Sequence, residues 1–317
     1  MLIPLLIFSV SLLVLILASK YFTEAAERIG LSLNMSPFTV GVVIVAIGTS
    51  LPELISGIFA STLGHSEIVI GNVLGANISN IFLIMGITTI VAKRSIQLGK
   101  EYIFVDLHFM LGSATFVIVF LLDGVISLWE GIILLAGFVV YQVYLMRLEK
   151  HDNMPTLNDE KTINRLENKV RWKDIGILVV TATAIFFGAK YTVESITDIA
   201  EFLDINKSIV SLTVMSLGTT LPELAVSIAA ARKGHPEIAI GNILGSCIFN
   251  SFMVTGVSSI IRPIQMPLSL SMTSIIFLLI ASVFFYLISH DKKISRWEGM
   301  MFLLFYLVFV LKVSGIA

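Results

Sequence analysis

Two glutamates stand in stretches that are otherwise almost wholly apolar. Glu53 closes Gly48-Thr49-Ser50-Leu51-Pro52-Glu53, and Glu223 closes Gly218-Thr219-Thr220-Leu221-Pro222-Glu223. A second motif follows each. The first is Gly71-Asn72-Val73-Leu74-Gly75-Ala76-Asn77-Ile78-Ser79-Asn80, and the second is Gly241-Asn242-Ile243-Leu244-Gly245-Ser246-Cys247-Ile248-Phe249-Asn250. The copies keep a constant offset of 170 residues (218 against 48) from Gly48 to Gly86, with 21 identities in 39 positions. A carboxylate deep in an apolar span is costly and marks an ion path or a proton relay. No lysine or arginine lies near mid-span to pair with either glutamate.

The residue types around the glutamates point to a cation. Proline inside a helix has no N–H and clashes with the carbonyl four residues back, here Gly48 for Pro52 and Gly218 for Pro222. The motif therefore predicts a broken helix that turns carbonyl oxygens toward a protein-lined cavity. Asn80 and Asn250 add amide oxygens, and Thr49 and Thr219 add backbone carbonyls and hydroxyls. Ser50, Thr220 and Ser246 add further hydroxyls. An all-oxygen set with two carboxylates is hard in character and suits calcium or sodium rather than zinc or copper. Two ions that compete for one cavity, whose empty form resists crossing, are the physical basis of coupled exchange.

Other residues in the repeats read differently. Gly71 with Gly75, and Gly241 with Gly245, are small-xxx-small pairs for close helix packing. Asn72 and Asn242 fit either an interhelical hydrogen bond or direct ligation. His65 and His235, with Glu67 and Glu237, read as turn and first-turn capping residues. The single cysteine, Cys247, reads as a small apolar filler and excludes a disulfide framework.

The elements that must hold these residues are transmembrane helices. Of the 317 residues, 56% are hydrophobic and 14% charged, with mean hydropathy +0.94, far from a soluble composition. A net charge of −1 gives no sign of a nucleic-acid partner. Ten spans near bilayer length are expected, at 2–20, 37–61, 67–92, 101–122, 125–147, 174–193, 207–231, 237–261, 268–289 and 296–314. The polar stretch between the halves is a tether, with 162–172 as a candidate surface helix. Lys20, Tyr21 and Glu24 recur as Lys190, Tyr191 and Glu194, so the first span belongs to the repeat and is not a cleaved leader. Trp129-Glu130-Gly131 likewise returns as Trp297-Glu298-Gly299.

Five spans per half is an odd number, so the second half enters upside down, the inverted-repeat plan of secondary transporters. The expected fold is an all-α polytopic membrane protein of about ten helices. Its units are an N-terminal five-helix repeat (1–149), a linker (150–173) and a C-terminal five-helix repeat (174–317). With the N-terminus outside, one side carries 17 of the 21 Lys and Arg residues and the other carries 4. The rich side is cytoplasmic by the positive-inside rule, which puts both termini outside and the linker inside.

The two copies resemble the α-repeats of the sodium/calcium exchanger family, within the wider calcium/cation antiporter group, and the resemblance spans essentially the whole chain. It implies a cell-membrane antiporter that uses sodium entry to move calcium by alternating access, with the second, third, seventh and eighth spans as core. It implies a calcium site at Glu53 and Glu223 flanked by Asn80 and Asn250. It also implies sodium ligands from the carbonyls of Ala46 and Ser216 with Thr49, Ser50, Thr219, Thr220 and Ser246. Calcium, sodium and the bilayer are then the partners, with no cofactor, no nucleic acid and no obligatory protein partner, and the chain is not an enzyme.

Two departures touch this expectation. Ala76 replaces the serine that many members have, whereas Ser246 keeps it. Asn250 stands where potassium-dependent members, and some prokaryotic ones, carry aspartate, which favours potassium independence. The short linker has no room for a calcium-sensing domain, as in a compact prokaryotic member. A calcium/proton exchanger on the same fold and a cation channel are the competing readings. The Leu-Pro-Glu placement of the glutamates disfavours the first, and a site of two unlike motifs in one chain disfavours the second. No nucleophile–base pair supports an intramembrane enzyme.

Overall fold

The computed structural model describes residues 2–32, 45–92, 96–97, 101–152, 172–203, 207–234, 236–290 and 293–314. Two long helices, α1 (Leu2–Ser32) and α8 (Trp172–Leu203), are partners along their whole length. Thr192 Oγ1 donates to Ser11 Oγ at 3.0 Å, Gly188 faces Leu15, and Arg28 Nε bonds Asp174 Oδ1 at 2.8 Å. As residue numbers rise on one helix they fall on the other, so the pair is antiparallel. α1 and α8 open equivalent halves of the chain, and the halves are therefore inverted. Both helices outrun the expected spans 2–20 and 174–193, and no proline follows either apolar run to stop the helix.

The core of each half is a broken helix followed by a helix with a π-turn. In the first half these are α2 (Ala46–Thr49), α3 (Leu51–Leu63), α4 (Ser66–Ile78), a π-helical turn (Ser79–Ile84) and α5 (Met85–Val91). Their counterparts are α9 (Lys207–Val210), a π-turn (Ser211–Met215), α10 (Ser216–Thr219), α11 (Leu221–Lys233), α12 (Pro236–Phe249), a π-turn (Asn250–Val254) and α13 (Thr255–Ile261). Gly64 (φ 87°) and Gly234 (φ 84°) end α3 and α11 in the left-handed conformation, which glycine adopts without a Cβ penalty.

The outer helices are α6 (Glu101–Phe120) and α7 (Leu128–Asp152) in the first half, and α14 (Leu268–Ser289) and α15 (Arg296–Val313) in the second. They cross over between the halves: α7 packs on α13, and α15 packs on α5. The repeated Trp-Glu-Gly explains how. Glu130 Oε2 accepts from the Ser127 N–H, and Glu298 caps Ser295 in the same way. Gly131 lies against Ser259 and Gly256, and Gly299 against Thr89 and Gly86, with no room for a Cβ. Trp129 and Trp297 point outward, as belt residues at a membrane interface do.

Two antiparallel two-residue ladders complete the crossover. β1 (Ile96–Gln97) pairs with β4 (Lys293–Ile294), and β2 (Val125–Ile126) pairs with β3 (Ile264–Gln265). Each ladder joins a loop of one half to a loop of the other, so the two loops lie on one face. An even number of crossings separates each pair in the expected plan, which agrees.

Among the described residues, seven helical stretches are long and apolar enough to cross a membrane, from Leu2–Phe22 to Leu268–Ser289. The other three expected spans correspond to α3, to Asp106–Phe120 within α6, and to α15. α7 runs on to Asp152 and α8 begins at Trp172; residues 153–171, with most of the expected tether and surface helix, lie outside the described residues.

Candidate cation site

Ser50 and Thr220 are the breaks. Each leaves helical geometry (φ −87°, ψ 7° and φ −84°, ψ 0°), and the next helix starts one residue later with Pro52 or Pro222 in its first turn. There the missing N–H costs nothing. Glu53 and Glu223 follow at once, in the first turn of α3 and α11, where the positive end of the helix dipole favours a carboxylate.

Both carboxylates are fully shielded from solvent. Among the described residues neither oxygen of Glu53 has a hydrogen-bond partner, and Glu223 Oε2 has none. Glu223 Oε1 accepts from Ser50 Oγ of the other half at 3.1 Å. The Ser246 hydroxyl and both polar side-chain atoms of Asn80 and of Asn250 are buried without partners too. Unpaired buried polar atoms are rare in native proteins, and here they gather from four segments of two halves. Asn80 and Asn250 stand at the start of two π-turns, a local widening that recurs at functional sites.

Thr49 and Thr219 are held by a reciprocal pair of bonds. Thr49 Oγ1 donates to Asn242 Oδ1 at 3.1 Å, and Thr219 Oγ1 donates to Asn72 Oδ1 at 3.1 Å. Asn72 and Asn242 are thus interhelical ties, one of the two roles open from sequence. Asn242 Nδ2 also reaches the Glu223 carbonyl at 3.2 Å and Ser227 Oγ at 3.0 Å. Ala46 O accepts the Ser50 N–H, and Ser216 O accepts the Thr220 N–H, both at 3.0 Å. The first glycine pair packs closely: a Cβ on Gly75 would collide with the Leu212 carbonyl and Ser216, and one on Gly71 would press tightly on Ser208 and Ser211.

The halves are unequal in two places. Ser50 crosses to Glu223, whereas the equivalent Thr220 hydroxyl turns back to Leu217 O at 3.1 Å. Ser246 presents a hydroxyl where the first half has buried Ala76. Among the described residues one hydroxyl, that of Ser50, bonds Glu223, and none bonds Glu53.

Two residues were not legible as special from sequence. Asn77 bonds Cys247 O and Ser251 Oγ across the halves; its position in the repeat was the available signal. Asp106, an acid inside the fourth apolar stretch, is fully buried and accepts from the Tyr141 hydroxyl at 2.9 Å. His65 stays at the turn, 3.5 Å from Lys207 Nζ; His235 lies outside the described residues. A cavity of about 690 Å³ lies near that turn, lined by Glu67, Asp123, Lys207 and Gln265, apart from the two glutamates. No cluster of three or more His, Cys, Asp and Glu occurs among the described residues.

The profile of the sodium/calcium exchanger protein family matches residues 3–147 and 173–314. A protein named sodium/calcium exchanger MaX1, from Methanosarcina acetivorans, is 33% identical over 96% of this chain and 97% of its own length. The inner membrane protein YrbG of Escherichia coli is 30% identical over 87% of this chain and 85% of its own. Among solved structures, the sodium–calcium exchanger NCX_Mj soaked with sodium and strontium superposes with a TM-score of 0.71. It is 29% identical and covers 97% of each chain.

Proposed function

The chain belongs to the sodium/calcium exchanger family, and from that membership we propose that it is a secondary antiporter exchanging sodium for calcium across the cell membrane. The observation that carries this reading is the buried pair Glu53 and Glu223, one from each inverted half, three of whose four carboxylate oxygens have no donor among the described residues.

In this reading one calcium ion neutralises the two carboxylates, flanked by the amide oxygens of Asn80 and Asn250. Sodium ions take the same carboxylates together with the carbonyls of Ala46 and Ser216 and the oxygens of Thr49, Ser50, Thr219, Thr220 and Ser246. Occupancy is exclusive because the oxygens are shared. An empty cavity would carry two bare negative charges through a low-dielectric interior, which is costly. The loaded forms cross and the empty one does not, so the two fluxes are coupled.

Ten spans in two five-helix repeats, 1–149 and 174–317, joined by a linker at 150–173, form the machine. Both termini lie outside and the linker in the cytoplasm, by the distribution of Lys and Arg. The transported ions are the partners, and the chemistry needs no cofactor. A neutral Asn250 at the site supports potassium independence.

The deciding experiment loads proteoliposomes with sodium, dilutes them into sodium-free buffer and follows radioactive calcium uptake. Uptake driven by the sodium gradient is expected. Uptake that ignores sodium and follows a pH gradient would establish the calcium/proton alternative instead.

A further inference from the structure

Among the described residues four carboxyl groups are buried: the paired glutamates, Asp174, which Arg28 pairs, and Asp106, which the exchange reaction does not use. Asp106 lies about one and a half turns into α6, fully buried. Oδ1 accepts the Tyr141 hydroxyl of α7 at 2.9 Å. Oδ2 is buried without a partner, and so is the hydroxyl of Tyr144, one turn further along α7. Phe109 stacks on Tyr144 at 5.3 Å and packs against Tyr141 at 4.9 Å, closing the pocket on its apolar side.

Among the described residues, the basic side chains around Asp106 lie elsewhere. On α7 the nearest basic residue is Arg147, which is exposed. On α6, His108 contacts Tyr286 of α14 at 3.1 Å, and His290 at the end of α14 is exposed. On α12 the ionisable side chain with a described position is Cys247, which bonds Asn77 O. Among the described residues no cation pairs with Asp106. A lone carboxylate at such depth is expensive unless a positive charge joins it.

The scaffold does not require this carboxyl. The second half repeats the same helix pairing at an offset of 168 residues, as in Trp129 and Trp297. There Phe277 packs on Phe309 at 5.3 Å as Phe109 packs on Tyr141. At the positions of Asp106 and Tyr141 stand Ser274 and Phe309. Ser274 is satisfied within its own helix, by Leu270 O at 2.9 Å. One half holds a carboxyl and two phenols where the other packs without them.

We propose that Asp106, with Tyr141 and Tyr144, is a second site for one small positive charge, a proton or a sodium ion, separate from the paired glutamates. The Tyr141 hydroxyl holds Oδ1, and the incoming charge sits between Oδ2 and the Tyr144 oxygen.

The test is infrared difference spectroscopy of the full chain in lipid, in a Glu53→Gln/Glu223→Gln background that silences the central carboxyls. It does not depend on transport, so its failure is distinguishable from failure of the exchange reading. Acidification should raise a protonated-carboxyl band that Asp106→Asn removes, if the charge is a proton. Added sodium at fixed pH should perturb the carboxylate band of Asp106, if the charge is sodium. A carboxyl band present at every pH and indifferent to sodium would make Asp106 a permanently neutral structural acid and overturn the proposal. If Asp106→Asn does not fold, Tyr144→Phe serves, since the second half packs without these phenols. It should shift the midpoint of the proton or sodium response, and an unchanged midpoint would also overturn the proposal.

Discussion

Asn77 touches the residue that occupies its own place in the other half. Its Nδ2 lies 3.4 Å from the Cys247 carbonyl, and Cys247 Sγ lies 3.9 Å from the Asn77 carbonyl. The two positions are 170 apart, the offset of the repeat. A residue can meet its equivalent only where the axis relating the halves passes, so the axis runs between α4 and α12 at this point. Asn80 and Asn250 follow three residues later on the same two helices. The reciprocal Thr49–Asn242 and Thr219–Asn72 bonds lie on either side. The candidate cation site is therefore built around the axis, and each half supplies half of it.

Glu53→Gln and Glu223→Gln should each abolish sodium-driven calcium uptake in proteoliposomes while leaving membrane insertion and thermal stability intact. An amide keeps the volume and removes the charge that a divalent cation needs. Retained uptake in either variant would place the site elsewhere.

Ser50→Ala and Thr220→Val should differ, although their positions are equivalent. Ser50 donates to a carboxylate of the other half, and Thr220 to a carbonyl of its own helix. A hydrogen bond to a charged group contributes roughly 1.5–3 kcal/mol, so Ser50→Ala should change apparent cation affinity about tenfold or more. Thr220→Val should change it far less. Equal effects in ion-competition uptake assays would contradict the asymmetry.

Gly75→Ala should destabilise the protein by crowding Leu212 and Ser216, although Gly75 itself supplies no cation ligand. The new methyl would meet the Leu212 carbonyl, part of the backbone of the opposing π-turn, which cannot swing aside as a side chain can. Overpacking of this kind costs about 1–3 kcal/mol. A lower melting temperature in detergent is the expected reading, and a stability equal to that of the unaltered chain would refute the close approach.

Cysteines placed at Ile96 and Ile294 in a Cys247→Ser background should join the two halves by a disulfide. These residues are directly paired in the β1–β4 ladder, within the reach of an S–S bridge. After proteolysis of the linker, the two fragments should migrate together on a non-reducing gel and separate on reduction. Separation under both conditions would mean the loops do not meet.

Much of this protein was already legible in its residues. Hydropathy marked the helices because a bilayer core has no water to satisfy an exposed backbone. The repeat of Gly-Thr-x-Leu-Pro-Glu marked the breaks because proline cannot donate and glycine tolerates the bend. An odd span count and a one-sided excess of Lys and Arg supported the inversion. The paired glutamates stood out because a membrane penalises an unpaired carboxylate.

The rest depended on contacts between residues far apart in sequence, where periodicity carries no information. The crossing of α7 onto α13 and α15 onto α5 is such a case, since only packing determines which helix a glycine face meets. So is the work of Asn72 and Asn242, whose amides could tie helices or bind ions until their partners were known. The inequality of the half-sites is another: a hydroxyl at position 50 or 220 is free to rotate, and the neighbouring acceptor decides where it points. Sequence determined which atoms were available to bind a cation and that two inverted halves would supply them. Tertiary structure alone decided which of those atoms are spent on one another and which are left unpaired, because that choice is made across the axis.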